Sequence, residues 1–288
     1  MTTAWMIYNG SLAGDKFRDQ AELLQEAAMR KGVEARIVAN DELFIDATSS
    51  FPSRPDFAVL LDKDVLLGRF LRTLHIPVYN DPEVIERCDN KAHQYIALAQ
   101  ANIPMPHTIV APKTYPNAPL QNERYLDHII ETLGFPMVVK EGRGSFGMHV
   151  YLIQTREELF EKVATLGGVD FIFQKYVASS HGRDIRVNII GDDIVAAMQR
   201  TSDCDFRANI TNGGTASTVV LTDVQKKIAL RAAQAVGATF AGVDLLFDEN
   251  EQPLVCEVNA AAHIRNIYNV TGINVADAMI DYILEDLK

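Results

Sequence analysis

The sequence predicts a mixed fold, α/β in its first third and α+β in the remainder. In the first third, short apolar strands alternate with helices, which indicates a parallel sheet covered by helices. After residue 185, consecutive strands are joined by short polar turns, which is typical of antiparallel hairpins. The chain has 288 residues, of which 48% are hydrophobic, so a large core divided among two or three subdomains is expected.

The first third contains four predicted strands and two helices. The first strand, residues 5–8, ends at the Asn9-Gly10 turn signal, and the first helix is closed by Lys31-Gly32. That helix carries apolar residues at helical spacing: Phe17, Ala21, Leu24 and Ala28. The remaining strands are predicted at residues 35–39, 57–61 and 77–79, with a helix at 65–74.

The rest of the chain mixes helices with antiparallel strands. Helices are predicted at residues 83–87, 89–100, 124–133 and 222–236, and a last helix begins near Asn274. Thr155 is placed to cap a further helix, with Glu158 completing the capping box. Strands are predicted at residues 136–140, 148–153 and 171–177, followed by hairpins at 185–198 and 242–258.

Composition excludes several classes of protein. A net charge of −11 and a pI near 5.1 argue against nonspecific binding to nucleic acid or to anionic membranes. No apolar run approaches the roughly 18 residues of a membrane span, and the first residues lack a signal-peptide pattern. Three scattered cysteines without a CxxC pair suggest free thiols in a cytoplasmic protein.

The second hairpin carries candidate metal ligands. Its turn lies near Asn250, so Asp244 is expected roughly opposite the Cys256–Glu257 region, and Glu257 and Asn259 share one face of their strand. Three oxygen-bearing side chains can therefore converge, and such ligands suit Mg²⁺ bound together with nucleotide phosphates. A solvated polar face is the alternative, although the apolar neighbours indicate a buried strand, where unpaired acids are costly.

A glycine-rich segment follows a predicted buried strand. Gly142, Gly144 and Gly147 allow backbone to approach an anion closely, although the segment matches neither a Walker A loop nor a GxGxxG fingerprint. Lys140 ends the apolar strand before it, where an unpaired ammonium group is expensive. Either a bound phosphate or a structural salt bridge resolves that cost.

Arginines and polar residues cluster between positions 183 and 214. Asp184 and Arg186 alternate with apolar residues on one strand, Arg200 ends the next, and Arg207 and Asn209 follow. Arginine forks bind phosphate or carboxylate bidentately, and phosphoryl transfer needs cations close to metal-binding acids. An ordinary solvated loop is the alternative.

Two weaker features flank these motifs. Asp89 is predicted to cap a helix that carries Lys91, which by itself is compatible with a surface lysine. His263 and Arg265 follow the acid-bearing strand, and a lone histidine is more often structural than catalytic.

Taken in order, these motifs resemble the ATP-grasp superfamily, and within it the RimK-like glutamate ligases. The resemblance extends from about residue 80 to the C-terminus, and residues 1–85 match the leading domain in pattern only. It rests on an ordered set of stretches: residues 87–91 (RCDNK), 135–140 (FPMVVK), 173–177 (FQKYV), 182–186 (GRDIR), 195–200 (VAAMQR), 205–210 (DFRANI), 241–245 (AGVDL), 256–259 (CEVN) and 271–276 (TGINVA).

The resemblance implies an ATP-grasp fold in three parts. These are an N-terminal βα domain at residues 1–85, a central subdomain with the glycine-rich lid at 86–172, and a C-terminal subdomain with the metal site at 173–288. ATP is expected between the last two. The implied reaction is ATP-dependent amide formation through an acyl phosphate, which joins glutamate or a related amino acid to a protein, peptide or small-molecule acceptor.

The resemblance also implies roles for matching residues. Lys91 and Lys140 would contact phosphates under a lid carrying Gly144 and Gly147. Lys175 and Tyr176 would lie at the adenine hinge, and Asp184 near the ribose. Two Mg²⁺ ions, or Mn²⁺ in their place, would bind Asp244, Glu257 and Asn259. Arg186, Arg200 and Arg207 are the expected catalytic cations, and Arg207 and Asn209 would lie beside the nucleotide.

The sequence departs from the family pattern at two places. An acidic residue is common at the hinge, where this chain has Lys175, and the family's Asn is commonly followed by a small-Pro-Gly turn, where Ala260-Ala261-Ala262-His263 stands. That second segment borders the substrate region. We therefore expect His263 to hydrogen-bond the substrate or receive the amine proton, and Arg265 to hold a substrate carboxylate, with two solvent-facing side chains as the alternative.

Two other functions stay open on the sequence. A RimK-like ligase that cross-links side chains within a peptide shares the same nucleotide machinery. A nucleotide-binding regulator without turnover has less need of the complete ligand set. Partners would be an amino-acid donor and an amine or carboxylate acceptor, without direct nucleic-acid or membrane binding, and a homo-oligomer is left open.

Overall fold

The computed structural model describes residues 1–46, 48, 54–144, 147–210 and 213–288. The N-terminal part forms a parallel sheet of order β2-β1-β3-β4, as the alternating pattern predicts. Its elements are β1 (Thr3–Tyr8), α1 (Lys16–Arg30), β2 (Glu34–Ala39), β3 (Phe57–Leu60), α2 (Val65–Thr73) and β4 (Val78–Tyr79). Helix α1 buries Ala21, Leu24 and Ala28, and the chain turns at Gly32, whose positive φ of 76° suits glycine.

Two helices lead into the central part, α3 (Pro82–Asp89) and α4 (Lys91–Gln100). The expectation that Asp89 caps the second helix is wrong, because Asp89 is the last residue of α3. Asn90 is the cap, and its Oδ1 accepts hydrogen bonds from the backbone N–H groups of Ala92 at 3.0 Å and His93 at 3.4 Å. Asp89 is thereby left to pair with Lys63 and Arg143.

The central part is an antiparallel sheet of order β5-β8-β6-β7 with two helices packed on it. Its elements are β5 (Thr108–Val110), α5 (Glu123–Leu133), β6 (Met137–Glu141), β7 (Val150–Ile153), α6 (Arg156–Ala164) and β8 (Phe171–Lys175). Leu126 and Ile129 of α5 and Leu159 of α6 meet Phe171 and Phe173 of β8 in one apolar core.

The C-terminal part is a second antiparallel sheet, of order β11-β10-β9-β12-β13. Its elements are β9 (Arg183–Ile190), β10 (Asp193–Thr201), β11 (Thr215–Thr218), α7 (Asp223–Val236), β12 (Phe240–Phe247), β13 (Pro253–Asn259), α8 (Arg265–Thr271) and α9 (Val275–Asp286). The two predicted hairpins, β9–β10 and β12–β13, are present, and β12 also pairs with β9.

Both expected domain boundaries fall inside elements. The boundary at 85/86 lies within α3, and the one at 172/173 lies within β8, which pairs with β6 along its whole length. Within the described ranges, no helix is long and apolar enough to cross a membrane.

Candidate active site

A cleft of about 1040 Å³ opens between the three sheets. The side chains that line it come from the ends of β1 and β3, from β6, and from β9, β10, β12 and β13. The residues given a nucleotide, metal, catalytic or substrate role from the sequence all line this cleft: Lys91, Lys140, Gly144, Gly147, Lys175, Tyr176, Asp184, Arg186, Arg200, Arg207, Asn209, Asp244, Glu257, Asn259, His263 and Arg265. The fold therefore brings together motifs that are up to 174 positions apart (265 − 91).

The candidate metal ligands lie on neighbouring strands. Asp244 is paired directly with Glu257, and a bulge at the next step leaves Cys256 as the extra residue of β13. Asn259, two residues beyond, donates from its Nδ2 to Glu257 Oε1 at 3.0 Å. Across the described residues no group of three or more His, Cys, Asp or Glu side chains could hold a metal unaided. Two carboxylates and an amide fit Mg²⁺ that shares nucleotide phosphates better than a closed metal site.

Asp244 also belongs to a buried network of alternating charges. Arg186 stands opposite Asp244 and donates to it from Nε and, at 2.8 Å, from Nη2. Arg200 bridges Asp184, at 2.6 and 2.7 Å, and Asp244, at 2.9 Å. Burial alone would raise the pKa of Asp244, but the charges of Arg186 and Arg200 hold it below its usual range. The network has two positive and two negative members and is neutral as a whole.

Two buried lysines create an excess of positive charge beside this network. Lys91 is 7% exposed and Lys140 is 6% exposed, and Lys140 Nζ lies 3.5 Å from Tyr95 Oη and 3.7 Å from Cys256 Sγ. Burial raises the pKa of Cys256 to about 11 and that of Tyr95 to about 12, so both are neutral at pH 7.

Glu257 is therefore the anion that balances these lysines at neutral pH. Desolvation and Asp244 would raise the pKa of Glu257, but Lys91 and Lys140 hold it below its usual range. Burial lowers the pKa of Lys91, and Lys140 lowers it further. Two ammonium groups facing one carboxylate leave a net positive charge, so this part of the cleft suits an anion such as phosphate.

The glycine-rich segment is contacted from two sides. Lys63 Nζ lies 3.5 Å from the Gly144 carbonyl oxygen, and Arg207 donates to the Gly147 carbonyl oxygen while also pairing with Asp205 at 2.7 Å. Gly142 is required by close packing, since a Cβ there would stand 2.8 Å from the Asp170 carbonyl oxygen. Ser145 and Phe146, inside the predicted lid, lie outside the described residues.

The predicted hinge lies at the end of β8. The Lys175 side chain is exposed, and its backbone N–H donates to the His107 carbonyl at 2.8 Å. Tyr176 forms a 2.5 Å hydrogen bond with His181 Nδ1 and packs edge-on against Phe206. The backbone N–H of Lys175 is thus already committed to the sheet, which leaves the neighbouring backbone and the Tyr176 ring to meet a ligand.

His263 and Arg265, which follow β13, have different surroundings. The imidazole of His263 is half-buried and packs edge-on against Phe17 at 5.4 Å, and burial, Lys16 and Arg186 lower its pKa, so it is neutral at pH 7. The guanidinium of Arg265 is not left to solvent, because its Nε and Nη2 pair with Asp19 of α1 at 2.7 and 2.5 Å.

The sequence interpretation missed two residues at the N-terminal side of the cleft. Asn9 follows β1 and Asp62 follows β3, and Asn9 Nδ2 donates to Asp62 Oδ2 at 2.5 Å. A signal was present, since polar residues immediately after parallel strands meet at one edge of the sheet. The Asn9-Gly10 pair by itself indicates only a turn.

Comparison with known proteins identifies the family. A model described as the RimK-like ATP-grasp domain matches residues 88–283, about two thirds of the chain. A probable alpha-L-glutamate ligase 2 of Shewanella denitrificans is 30% identical, with 92% of this chain and 91% of that protein covered. The ribosomal protein bS6–L-glutamate ligase of Escherichia fergusonii is 34% identical over 71% of this chain and 66% of its own length.

The fold comparison agrees. The solved structure of the ATP-grasp ligase PsnB with a phosphomimetic variant of its minimal precursor, Mg and ADP has a TM-score of 0.72 and 16% identity. The alignment covers 100% of this chain and 99% of the PsnB chain. With the family match, the shared fold and a cleft that collects lysines, arginines and carboxylates, the chain belongs to the RimK-like ATP-grasp family and is an ATP-dependent ligase that forms carbon–nitrogen bonds.

Proposed function

We propose that this ligase adds glutamate, or a closely related amino acid, to an acceptor that carries a carboxylate. The γ-phosphate of ATP activates the acceptor carboxylate as an acyl phosphate, and the amine of the added amino acid then displaces phosphate. The names of the two glutamate-ligase relatives support the amino acid. The acceptor is a protein, a peptide or a small molecule.

The observation that carries this proposal is the positive charge of Lys91 and Lys140 next to Glu257. Lysines this deeply buried need an anionic partner, and Glu257 supplies one charge for two ammonium groups. A polyphosphate supplies the rest. The neighbouring strands provide the oxygen ligands that a phosphate-bound divalent ion needs, so nucleotide and metal requirements meet in one place.

Each group of residues then has a distinct task. Lys91 and Lys140 hold the phosphates, and Asp244, Glu257 and Asn259 provide the sites for two Mg²⁺ ions, which would neutralise charge that develops during phosphoryl transfer. Arg207 joins the glycine-rich segment to the C-terminal sheet. Arg186 and Arg200 keep Asp244 ionised and oriented, and they add positive charge at the cleft floor.

No covalent bond to the enzyme is required. The residues position the two substrates and stabilise charge, while the activated carboxylate reacts directly with the amine. His263 is neutral and lies in the cleft, so it can accept the proton that the amine must lose.

The test is ADP release with Mg²⁺ and ATP, screened over the free amino acids with carboxylate acceptors. We expect release to require L-glutamate or a related amino acid together with an acceptor, and mass spectrometry should show the acceptor enlarged by that residue. Release that needs only a peptide, which loses water without gaining an amino acid, would instead indicate side-chain cross-linking. Nucleotide binding without release under any condition would indicate a regulator.

A further inference from the structure

The N-terminal sheet places a crevice at the edge that faces the cleft. Its order is β2-β1-β3-β4, so the connection after β1 leads to one side of the sheet and the connection after β3 leads to the other. Ligands of parallel sheets bind where neighbouring connections diverge in this way, beyond the carboxyl ends of the strands. Asn9 and Asp62 occupy that point, and they are hydrogen-bonded to each other at 2.5 Å.

Asp62 differs from the arginine-paired aspartates of the cleft in its charge balance. Asp19, Asp184 and Asp244 each pair with an arginine. Asp62 has no cation within ion-pairing distance among the residues that the structure describes, and its Oδ1 accepts no hydrogen bond from them. A half-buried carboxylate with one oxygen left over is suited to receive a cationic group from a ligand.

Asp64, two residues further on, shows the contrast. Asp64 also has no cation partner within the described ranges, but both of its oxygens accept hydrogen bonds from protein donors. Oδ1 accepts the backbone N–H of Leu67 at 3.0 Å as the cap of α2, and Oδ2 accepts Asn40 Nδ2 at 2.9 Å. Asp64 therefore has a structural task, whereas Asp62 is held by Asn9 with half of its carboxylate directed to no described partner.

Asp62 also lines the same cleft as His263, the group suited to accept a proton. Its negative charge acts on the His263 imidazole across the cleft, where it opposes the effect of burial. An amine substrate arrives as an ammonium ion at neutral pH and must lose a proton before it can attack. A carboxylate that binds the ammonium and a neutral imidazole that accepts its proton are therefore present at the same end of the cleft.

We infer that Asp62, oriented by Asn9, binds the ammonium group of the amine substrate and directs its nitrogen toward the activated carboxylate. The inference rests on the proposed function. In the step, the ammonium gives one proton to His263, and its nitrogen attacks the carbonyl carbon of the acyl phosphate. The C–N bond forms, and the bond between the carbonyl carbon and the bridging phosphate oxygen breaks. Phosphate leaves with the electron pair of that bond and takes up the second proton from the nitrogen.

The test compares two ligands that differ only in the amino group, L-glutamate and glutarate. Each is titrated calorimetrically into wild type, Asp62→Asn and Asp64→Asn in the presence of Mg²⁺ and a nonhydrolysable ATP analogue. Asparagine at 62 keeps the size of the side chain and can still accept from Asn9, so the change removes charge alone. We expect wild type and Asp64→Asn to prefer L-glutamate by roughly tenfold or more, and Asp62→Asn to lose that preference.

The outcomes separate the two levels of the argument. A preference for L-glutamate that survives in Asp62→Asn overturns the assignment of Asp62 and leaves the proposed function intact. If Asp62→Asn and Asp64→Asn lose the preference for L-glutamate equally, the assignment of Asp62 is overturned as well. The cause is then a general change in the segment after β3 and not the charge of Asp62. Wild-type protein that binds neither compound contradicts glutamate as the substrate and the inference together. Thermal unfolding of all three proteins confirms that each is folded.

Discussion

Asp244 and Glu257 face each other across the β12–β13 pair, one step from the bulge that leaves Cys256 unpaired. Their environments differ although they are neighbours. Asp244 pairs with Arg186 through both of its oxygens and with Arg200 through one. Within the described part of the chain, Glu257 accepts a hydrogen bond only from Asn259 and is balanced at longer range by two lysines. Replacing the two carboxylates should therefore have different consequences.

Glu257→Gln should abolish ADP formation, with a loss of about 100-fold or more, because it removes a hard anionic ligand while keeping the size of the side chain. The free energy of unfolding should fall as well, because Lys91 and Lys140 lose the carboxylate that balances their charge, so activity is compared under conditions where the variant is folded. ADP release measured against Mg²⁺ concentration checks the effect on activity, and urea unfolding checks the fold. Full activity at ordinary Mg²⁺ concentrations would remove Glu257 from the metal site.

The buried network gives a prediction about stability. Asp184→Ala removes one of the two carboxylates that Arg200 bridges and leaves an arginine, 5% exposed, with only Asp244. Breaking a buried ion pair from one side costs about 3–5 kcal/mol, and the loss should persist in high salt because the pair is shielded from counterions. Urea unfolding at low and high salt measures both effects.

Arg183→Ala is the matched control for that experiment. Arg183 begins the same strand, but its partner Glu251, at 2.7 Å, is 66% exposed, so loss of this pair should cost only about 1 kcal/mol. If both variants lose the same small amount, the network does not hold the sheet together.

Contacts with a local cause can be predicted from the sequence, whereas contacts between distant segments cannot. Asp244 opposite Glu257 follows from strand periodicity and the turn at Asn250, both of which are local. The pairing of Arg265 with Asp19 joins residues 246 positions apart, and nothing local to either residue indicates it. The N-cap of α4 is misplaced by one residue because Asp89 and Asn90 are both good caps, and only tertiary pairing of Asp89 with Lys63 and Arg143 decides between them.

The strand β5 and the helix α8 escape prediction for a different reason. β5 has three residues and α8 has seven, which is too short for hydrophobic periodicity to register. Their positions come from packing, since β5 pairs with β8 and α8 lies against β10.

Bound nucleotide should protect the glycine-rich segment from solvent. We expect hydrogen exchange of the backbone amides around residues 142–148 to slow by roughly tenfold or more when an ATP analogue and Mg²⁺ bind. The reason is that phosphate oxygens accept hydrogen bonds from backbone N–H groups. Helix α9, far from the cleft lining, serves as an internal reference. Confirmed nucleotide binding with unchanged exchange in this segment would mean that it is a static turn.

Protonation of His263 should determine the acid limb of the pH profile of kcat. Its folded-state pKa is lowered by burial, so it stays neutral down to below pH 6.5 and can accept a proton throughout the neutral range. kcat should therefore fall only below pH 6.5, and His263→Gln should lower kcat and remove that limb while ATP binding is unchanged. By linkage, protonation favours the unfolded chain, so His263 makes wild type lose stability as the pH falls through 6.5. An acid limb that is unchanged in His263→Gln would assign it to another group.

Variants of Arg265 test whether the residues that follow β13 select the substrate. Its fork is engaged by Asp19, at 2.7 and 2.5 Å, so a substrate carboxylate must compete with that pair or share it. We expect Arg265→Ala to raise the KM of the amino acid by roughly tenfold with little change in the KM of ATP, and Asp19→Ala to leave the KM of the amino acid unchanged or lower it, because the guanidinium is then released. Equal changes in both variants, in KM and in unfolding free energy, would mean that the pair only joins α8 to α1. Selectivity would then have to come from Arg186, Arg200 and the segment from residue 209 to 214.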